Sequence, residues 1–181
     1  MTNPCAIVDL GGSSGWCWDY LQNSLPEHRV SSYVVVETEA VVDYMKKSGI
    51  HHAPVNYRSL NSPLDPCDLL YCNSMLQYFE SNAPLLSLIE RTTPQFVLLE
   101  DLVVKGEDDF FSMQSFRGSA IPYRFLGLNK LLQELSHYGY TAVTQRLHSY
   151  PMHPQSLESS SRWRWATFRK QNNSAIRQVF C

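Results

Sequence analysis

Disulfide staples, a structural zinc site and a membrane span are all missing from this sequence. Its five cysteines, Cys5, Cys17, Cys67, Cys72 and Cys181, are odd in number and include no C-x-x-C pair. That pattern disfavours both a disulfide framework and a zinc ribbon. They read as reduced, mostly buried thiols of a soluble cytoplasmic protein. The opening Met1-Thr-Asn-Pro-Cys5 has no positive segment followed by an apolar one, and nowhere do 18 apolar residues run together, so neither a secretory leader nor a transmembrane helix is expected. Charge is sparse, at 18% of residues with a net of -2 and a pI near 6.3. No global field draws the chain to nucleic acid or anionic membrane. His51, His52, His137, His148 and His153 lack metal-ligand spacing, and no metal is expected.

The composition that remains is globular. Of 181 residues, 44% are hydrophobic and 12% aromatic, which predicts a single domain over residues 1–181. A chain of this size buries about 70% of its unfolded surface and needs no covalent staple. One local exception to the even charge is the stretch from Arg162 to Cys181. It carries Arg162, Arg164, Arg169, Lys170 and Arg177 with no acid, interleaved with Trp163, Trp165 and Phe168. It reads as an edge strand with its arginines in solvent rather than as a nucleic-acid stripe.

The hydrophobic period switches between 2 and 3.6 along the chain. Cys5 to Leu10 and Ser32 to Glu37 are short apolar runs that read as buried parallel strands. Trp16, Trp18, Leu21 and Leu25 recur at helical intervals between them, as do Ala40, Val41, Tyr44 and Met45 before Gly49. Ala53 to Tyr57, Cys67 to Cys72 and Phe96 to Asp101 read as three more strands. The link through Asn61-Ser-Pro-Leu-Asp-Pro66 is too proline-rich for a helix, whereas Ser81-Asn-Ala-Pro84 opens one. Residues 105–127 read as an irregular insertion able to cover a substrate. After a last helix around Leu131, Leu132 and Leu135, the segments Thr141 to His148 and Arg162 to Lys170 should pair antiparallel. The fold class is therefore α/β, a doubly wound, mainly parallel, Rossmann-like sheet closed by a C-terminal antiparallel hairpin.

Only eight glycines occur, yet three fall in Asp9-Leu-Gly-Gly-Ser-Ser-Gly15, where the first strand turns into the first helix. Ligands of doubly wound sheets bind outside the carboxyl ends of the strands, and glycine lets the turn approach them closely. The spacing is not the G-x-G-x-x-G of a pyrophosphate site, and Asp9 ahead of the loop would repel phosphate. A carboxylate there suits a ligand bearing an ammonium or sulfonium. Glu37, ending the second strand, is placed to accept hydrogen bonds from two ribose hydroxyls.

On these residues the sequence resembles the class I S-adenosylmethionine-dependent methyltransferases, whose first motif is D/E-x-G-x-G-x-G followed by an acid at the end of strand two. Asp9, Gly11 and Gly15 match, and Ser13 replaces the middle glycine. The resemblance spans nearly the whole chain. It extends through Asp68 to Tyr78, Leu98 to Asp101 and Ile121 to Leu126 to a family of methyltransferases often associated with cell-surface polysaccharide loci. It implies S-adenosyl-L-methionine as cofactor, a small-molecule acceptor on oxygen or nitrogen, and a saccharide among the acceptors. Asp9 would orient the loop or the methionine ammonium, Gly11, Gly12, Ser13 and Gly15 would face the methionine part, Glu37 would hold the ribose, and Asn73 and Ser74 would lie near the methionine backbone and sulfonium. Methyl transfer is an in-line displacement in which a strong base is optional. Groups beyond strands four and five include Gln77 and Arg124, with Asp101 the leading catalytic candidate and Tyr78 and Tyr123 behind it. Two departures are the absence of an N-terminal helix ahead of the first strand and of a helix in the third crossover. The Ser13 replacement and the missing N-terminal helix keep open a methyltransferase-like binding or scaffold protein without turnover; a nicotinamide-dependent oxidoreductase is disfavoured by Asp9 and the terminal hairpin.

Overall fold

The computed structural model describes residues 4–24, 29–49, 55–104, 106–149 and 161–171. Strand β1 (Cys5–Leu10), helix α1 (Trp16–Ser24), β2 (Val30–Glu37), α2 (Glu39–Ser48), β3 (Val55–Ser59) and β4 (Leu69–Asn73) come first. A short 3-10 turn (Leu76–Tyr78) leads to α3 (Ala83–Thr92) and β5 (Phe96–Val104). The chain continues through β6 (Phe110–Phe116), β7 (Ser119–Phe125), α4 (Leu128–His137), β8 (Tyr140–Ser149) and β9 (Ser161–Lys170).

Seven strands form one sheet in the order β3-β2-β1-β4-β5-β9-β8. The pairings from β3 to β5 are parallel, and β9 runs antiparallel to both β5 and β8. Strand order reverses at β1 and β4, which opens a crevice at their carboxyl ends. The local signals behave as their chemistry requires. Val34, Val35 and Val36 stiffen β2 with branched side chains. Thr38 caps α2 by accepting from the Val41 N–H at 3.4 Å, and Gly49 ends it in the left-handed region at φ 69.

Alternation along the strands sends side chains into two cores. Val8, Leu10, Leu70, Cys72, Val97, Leu99 and Phe168 pack with α3 and α4 residues such as Leu85, Leu88, Leu131 and Leu135. Ile7, Tyr33, Val35, Tyr57 and Tyr71 pack on the other face with Cys17 and Trp18 of α1 and Val42 and Met45 of α2. Alternation inverts across Asp101, because Val97 and Leu99 before it and Leu102 and Val104 after it join the same core. The left-handed backbone of Asp101, φ 54, produces that inversion.

Two expectations are corrected. The stretch expected to be irregular is not: Phe110–Phe116 and Ser119–Phe125 form a separate two-stranded antiparallel hairpin, β6 and β7. Its two-residue loop is Arg117-Gly118, both at positive φ (49 and 80), as a primed turn requires. The basic stretch is not an edge strand either, since β9 lies inside the sheet and β8 forms the edge. Extended pairing on both sides outweighs the charge pattern there, and Arg177 lies outside the described residues. Among the described residues no helix is long and apolar enough to cross a membrane.

Candidate functional site at the carboxyl ends of strands one, four and five

The glycine loop is pinned before it reaches α1. The Gly11 N–H donates to the Val36 carbonyl at 2.9 Å, fixing the turn on β2. Gly11, Ser13 and Gly15 have φ of 79, 51 and 78. Ser13 therefore holds the left-handed geometry that glycine would adopt at lower cost. Space is as tight as backbone. A Cβ on Gly11 would overlap the Met75 side chain, and one on Gly12 would overlap the Asp9 carboxylate.

Three acidic side chains organise the loop and its surroundings. Asp9 is only 1% exposed and accepts from the Tyr33 hydroxyl at 2.5 Å. Burial pushes its carboxyl up to about 6; the Tyr33 hydrogen bond opposes the rise and Glu37 adds to it. Glu37 accepts the Ser13 N–H at 3.0 Å on one oxygen and the Thr38 N–H at 3.1 Å on the other. Each oxygen keeps a further lone pair for a ligand hydroxyl. At β5, Asp101 accepts from the Ser74 hydroxyl at 2.6 Å. Ser74, like Asp101, sits in the left-handed region, at φ 52 and 54 respectively. Such strain in non-glycine residues, one just after β4 and the other within β5, concentrates at functional sites.

Asp9, Gly11, Gly12, Asn73, Ser74 and Asp101 line a cavity of about 300 Å³ together with Trp16, Cys17 and Tyr71. Ser13 and Gly15 complete the loop beside it, with the Ser14 carbonyl accepting from the Tyr57 hydroxyl at 2.7 Å. Tyr78 and Tyr123 are elsewhere. They meet edge to face at 5.6 Å, and the Tyr78 hydroxyl donates to Gln114 at 3.1 Å, tying the 3-10 turn to the β6–β7 hairpin. Arg124 is 1% exposed and donates to Asn82 Oδ1 at 2.7 Å, the Leu76 carbonyl at 3.1 Å and Asp109 at 3.2 Å. It anchors the hairpin rather than facing the cavity. Burial alone would raise the Asp109 carboxyl, yet Lys130, the Gly127 N–H and Arg124 hold it below its ordinary value. Gln77 is 3% exposed, also away from the cavity lining.

Sequence reasoning missed a polar relay on the α1 face. The Cys17 thiol donates to the Tyr71 hydroxyl at 3.6 Å, and Tyr71 donates to Glu100 at 2.5 Å. Burial pushes the Cys17 thiol up to about 11 and raises Tyr71 as well. The available signal was period 2. Tyr71 lies two residues from Asn73 on β4, on the strand face opposite the buried Leu70 and Cys72.

No family model and no curated protein match the chain. Solved structures do. A structure from Listeria monocytogenes assigned to an S-adenosylmethionine-dependent methyltransferase is similar with a TM-score of 0.64 at 12% identity, over 94% of this chain and 92% of that one. The fold is that of the class I methyltransferases. A second structure with this class I methyltransferase fold, an S-adenosylmethionine-dependent methyltransferase from Mesorhizobium loti, gives 0.58 at 15% identity over 93% and 92% of the two chains. The glycopeptide N-methyltransferase MtfA complexed with sinefungin gives 0.61 at 8% identity over 92% and 87%.

Proposed function

We propose that the chain is an S-adenosylmethionine-dependent methyltransferase acting on an oxygen or nitrogen of a small molecule in the cytoplasm. A saccharide is the acceptor class suggested by the resemblance to polysaccharide-locus methyltransferases. The observation that carries the reading is the cradle at the switch point: two glycines with no room for a Cβ, over a buried carboxylate, at the end of β1. The donor set fits the cofactor. Asp9 suits an ammonium, Glu37 retains lone pairs for a ribose diol, and Gly11 to Gly15 offer close backbone approach. By the resemblance, Asn73 and Ser74 would lie near the methionine backbone and the sulfonium.

When bound, S-adenosylmethionine supplies an electrophilic methyl group on a positively charged sulfur. The chain's own work is alignment and exclusion of water. Asp101, held by Ser74, orients the acceptor hydrogen or takes its proton. Tyr78 and Tyr123 brace the β6–β7 hairpin against the 3-10 turn, within one methyltransferase domain spanning residues 1–181.

Titration calorimetry with S-adenosylhomocysteine and NADH side by side tests the cofactor. The first should bind and the second should not. Gly11→Val should abolish S-adenosylhomocysteine binding, and Glu37→Ala should weaken it by about 1–3 kcal/mol for a charge-assisted contact. Unchanged affinity in both variants would sink the assignment. Once a methyl acceptor is in hand, Asp101→Asn should keep cofactor affinity and lower turnover by roughly 10² to 10⁴. Turnover within a factor of a few of wild type would remove Asp101 from the mechanism.

A further inference from the structure

The α1 face of the sheet continues beyond the glycine cavity as an open groove of about 390 Å³. Ile7, Leu69 and Leu98 floor it, and Trp16 and Tyr20 of α1 wall it at 55% and 69% exposure. These are large aromatic surfaces left in solvent beside an aliphatic floor. Tyr71 and Glu100 close its upper end. Trp16, Cys17 and Tyr71 line both the groove and the glycine cavity. The two therefore adjoin at these three side chains, with Glu100 on the groove side and Asp9 and Asp101 on the cavity side.

Acids flank the shared residues on both sides. Asp9 and Asp101 line the cavity and Glu100 the groove, and among the described lining residues none is lysine, arginine or histidine. An anionic acceptor would meet like charge in a partly desolvated site. A polyhydroxylated acceptor would find, over the body of the groove, almost no partners for its hydroxyls. An ammonium is matched by Glu100, whose carboxylate is already oriented by the Tyr71 hydroxyl. An aryl or alkyl body is matched by Leu69, Leu98, Trp16 and Tyr20.

We propose that the groove is the acceptor site, and that the acceptor is an apolar amine whose body lies on Leu69 and Leu98 and whose ammonium pairs with Glu100. This rests on the methyltransferase reading and narrows it to nitrogen, with an apolar body in place of a saccharide. The transfer balances simply. The ammonium gives one proton to Asp101, the freed nitrogen pair forms the new C–N bond, and the C–S bond breaks with its electrons on sulfur. A methylated ammonium and a neutral thioether result, and Asp101 releases its proton to solvent.

The test is calorimetry on the full chain saturated with S-adenosylhomocysteine, with tryptamine, tryptophol, indole-3-acetate and glucosamine as probes. Tryptamine should bind at least about tenfold tighter than tryptophol, as a charge-assisted contact requires. Indole-3-acetate and glucosamine should be weaker still. Glu100→Gln should bring tryptamine and tryptophol to within about threefold of each other. Leu98→Trp should fill the groove and abolish tryptamine binding with S-adenosylhomocysteine affinity retained. Tyr20→Ala, at an exposed position with no folding penalty, should weaken tryptamine by about three- to tenfold. Equal binding of tryptamine and tryptophol, preference for glucosamine or the carboxylate, or indifference to Leu98→Trp and Tyr20→Ala would overturn the proposal. Failure of S-adenosylhomocysteine to bind the wild type would fall instead on the methyltransferase reading, and the amine titration run without it still reads the groove.

Discussion

The two faces of the sheet are built from different chemistry. On the α3–α4 face, Leu70, Cys72, Val97 and Leu99 are all fully buried aliphatic or thiol side chains, and Leu85, Leu88, Leu131 and Leu135 close over them. On the α1–α2 face the corresponding large residues are Tyr33, Tyr57 and Tyr71. Each of these rings is buried while its hydroxyl reaches a site group: Asp9, the Ser14 carbonyl and Glu100 respectively. One face is a dry support. The other combines packing with positioning, because a tyrosine carries an apolar body and a polar tip in one side chain. Strand period 2 makes the division possible, placing a supporting residue and a functional one side by side on every strand.

The contrast breaks most sharply at a paired substitution on β4. Leu70→Ala, on the dry face, should lower unfolding free energy by about 2–5 kcal/mol through lost burial and a residual cavity. S-adenosylhomocysteine affinity measured well below the midpoint should stay within about threefold, since Leu70 touches only core. Denaturant unfolding and calorimetry on the same variant check both halves. A large affinity loss at modest destabilisation would show that the two faces are not separable.

The alternation of strands and helices was legible because each element carries its own period and punctuation. Val34 to Val36, the Pro66 that precedes Cys67, and Gly49 act locally and needed no knowledge of the fold. The glycine loop was legible for the same reason. Two features were not, and both depend on pairing across the sheet. The place of β9 between β5 and β8 is decided by its partners rather than by its arginines. The β6–β7 hairpin turns on Arg117-Gly118, a weaker signal than Asn-Gly, and its alternation is blurred by Phe110 and Phe111 standing together. At the site, Asp9, Gly11, Gly12, Asn73, Ser74 and Asp101 were readable as strand ends and do converge on one cavity. Tyr33, Tyr71 and Glu100 looked like interior strand residues, and only the register that aligns Tyr71 with Asp9 and Asn73 with Glu100 discloses their work.

A smaller effect sharpens the comparison by asking what the functional face costs the fold. Asp9 is buried, and its carboxyl is raised from 3.8 to about 6, with burial the main cause. The native state therefore holds this proton more tightly than the unfolded chain does. Its contribution to stability is fully present below pH 3.8 and is lost as pH rises through about 6. A shift of this size corresponds to a loss of up to about 3 kcal/mol. Asp9→Asn keeps an oxygen to accept from Tyr33 but cannot ionise, so the variant should escape that loss. Near pH 3.8 the two proteins should differ little on this account, and above pH 6 the Asn variant should gain up to about 3 kcal/mol relative to wild type. Unfolding free energies collected from pH 4 to 8 check the divergence. Parallel curves would mean that Asp9 is not strained by its burial. A ligand ammonium beside Asp9 should act in the opposite sense on wild type alone: by favouring the ionised carboxylate it should release a proton on binding below pH 6. Calorimetry of S-adenosylhomocysteine in buffers of different ionisation enthalpy reads that proton directly, and it should vanish in Asp9→Asn.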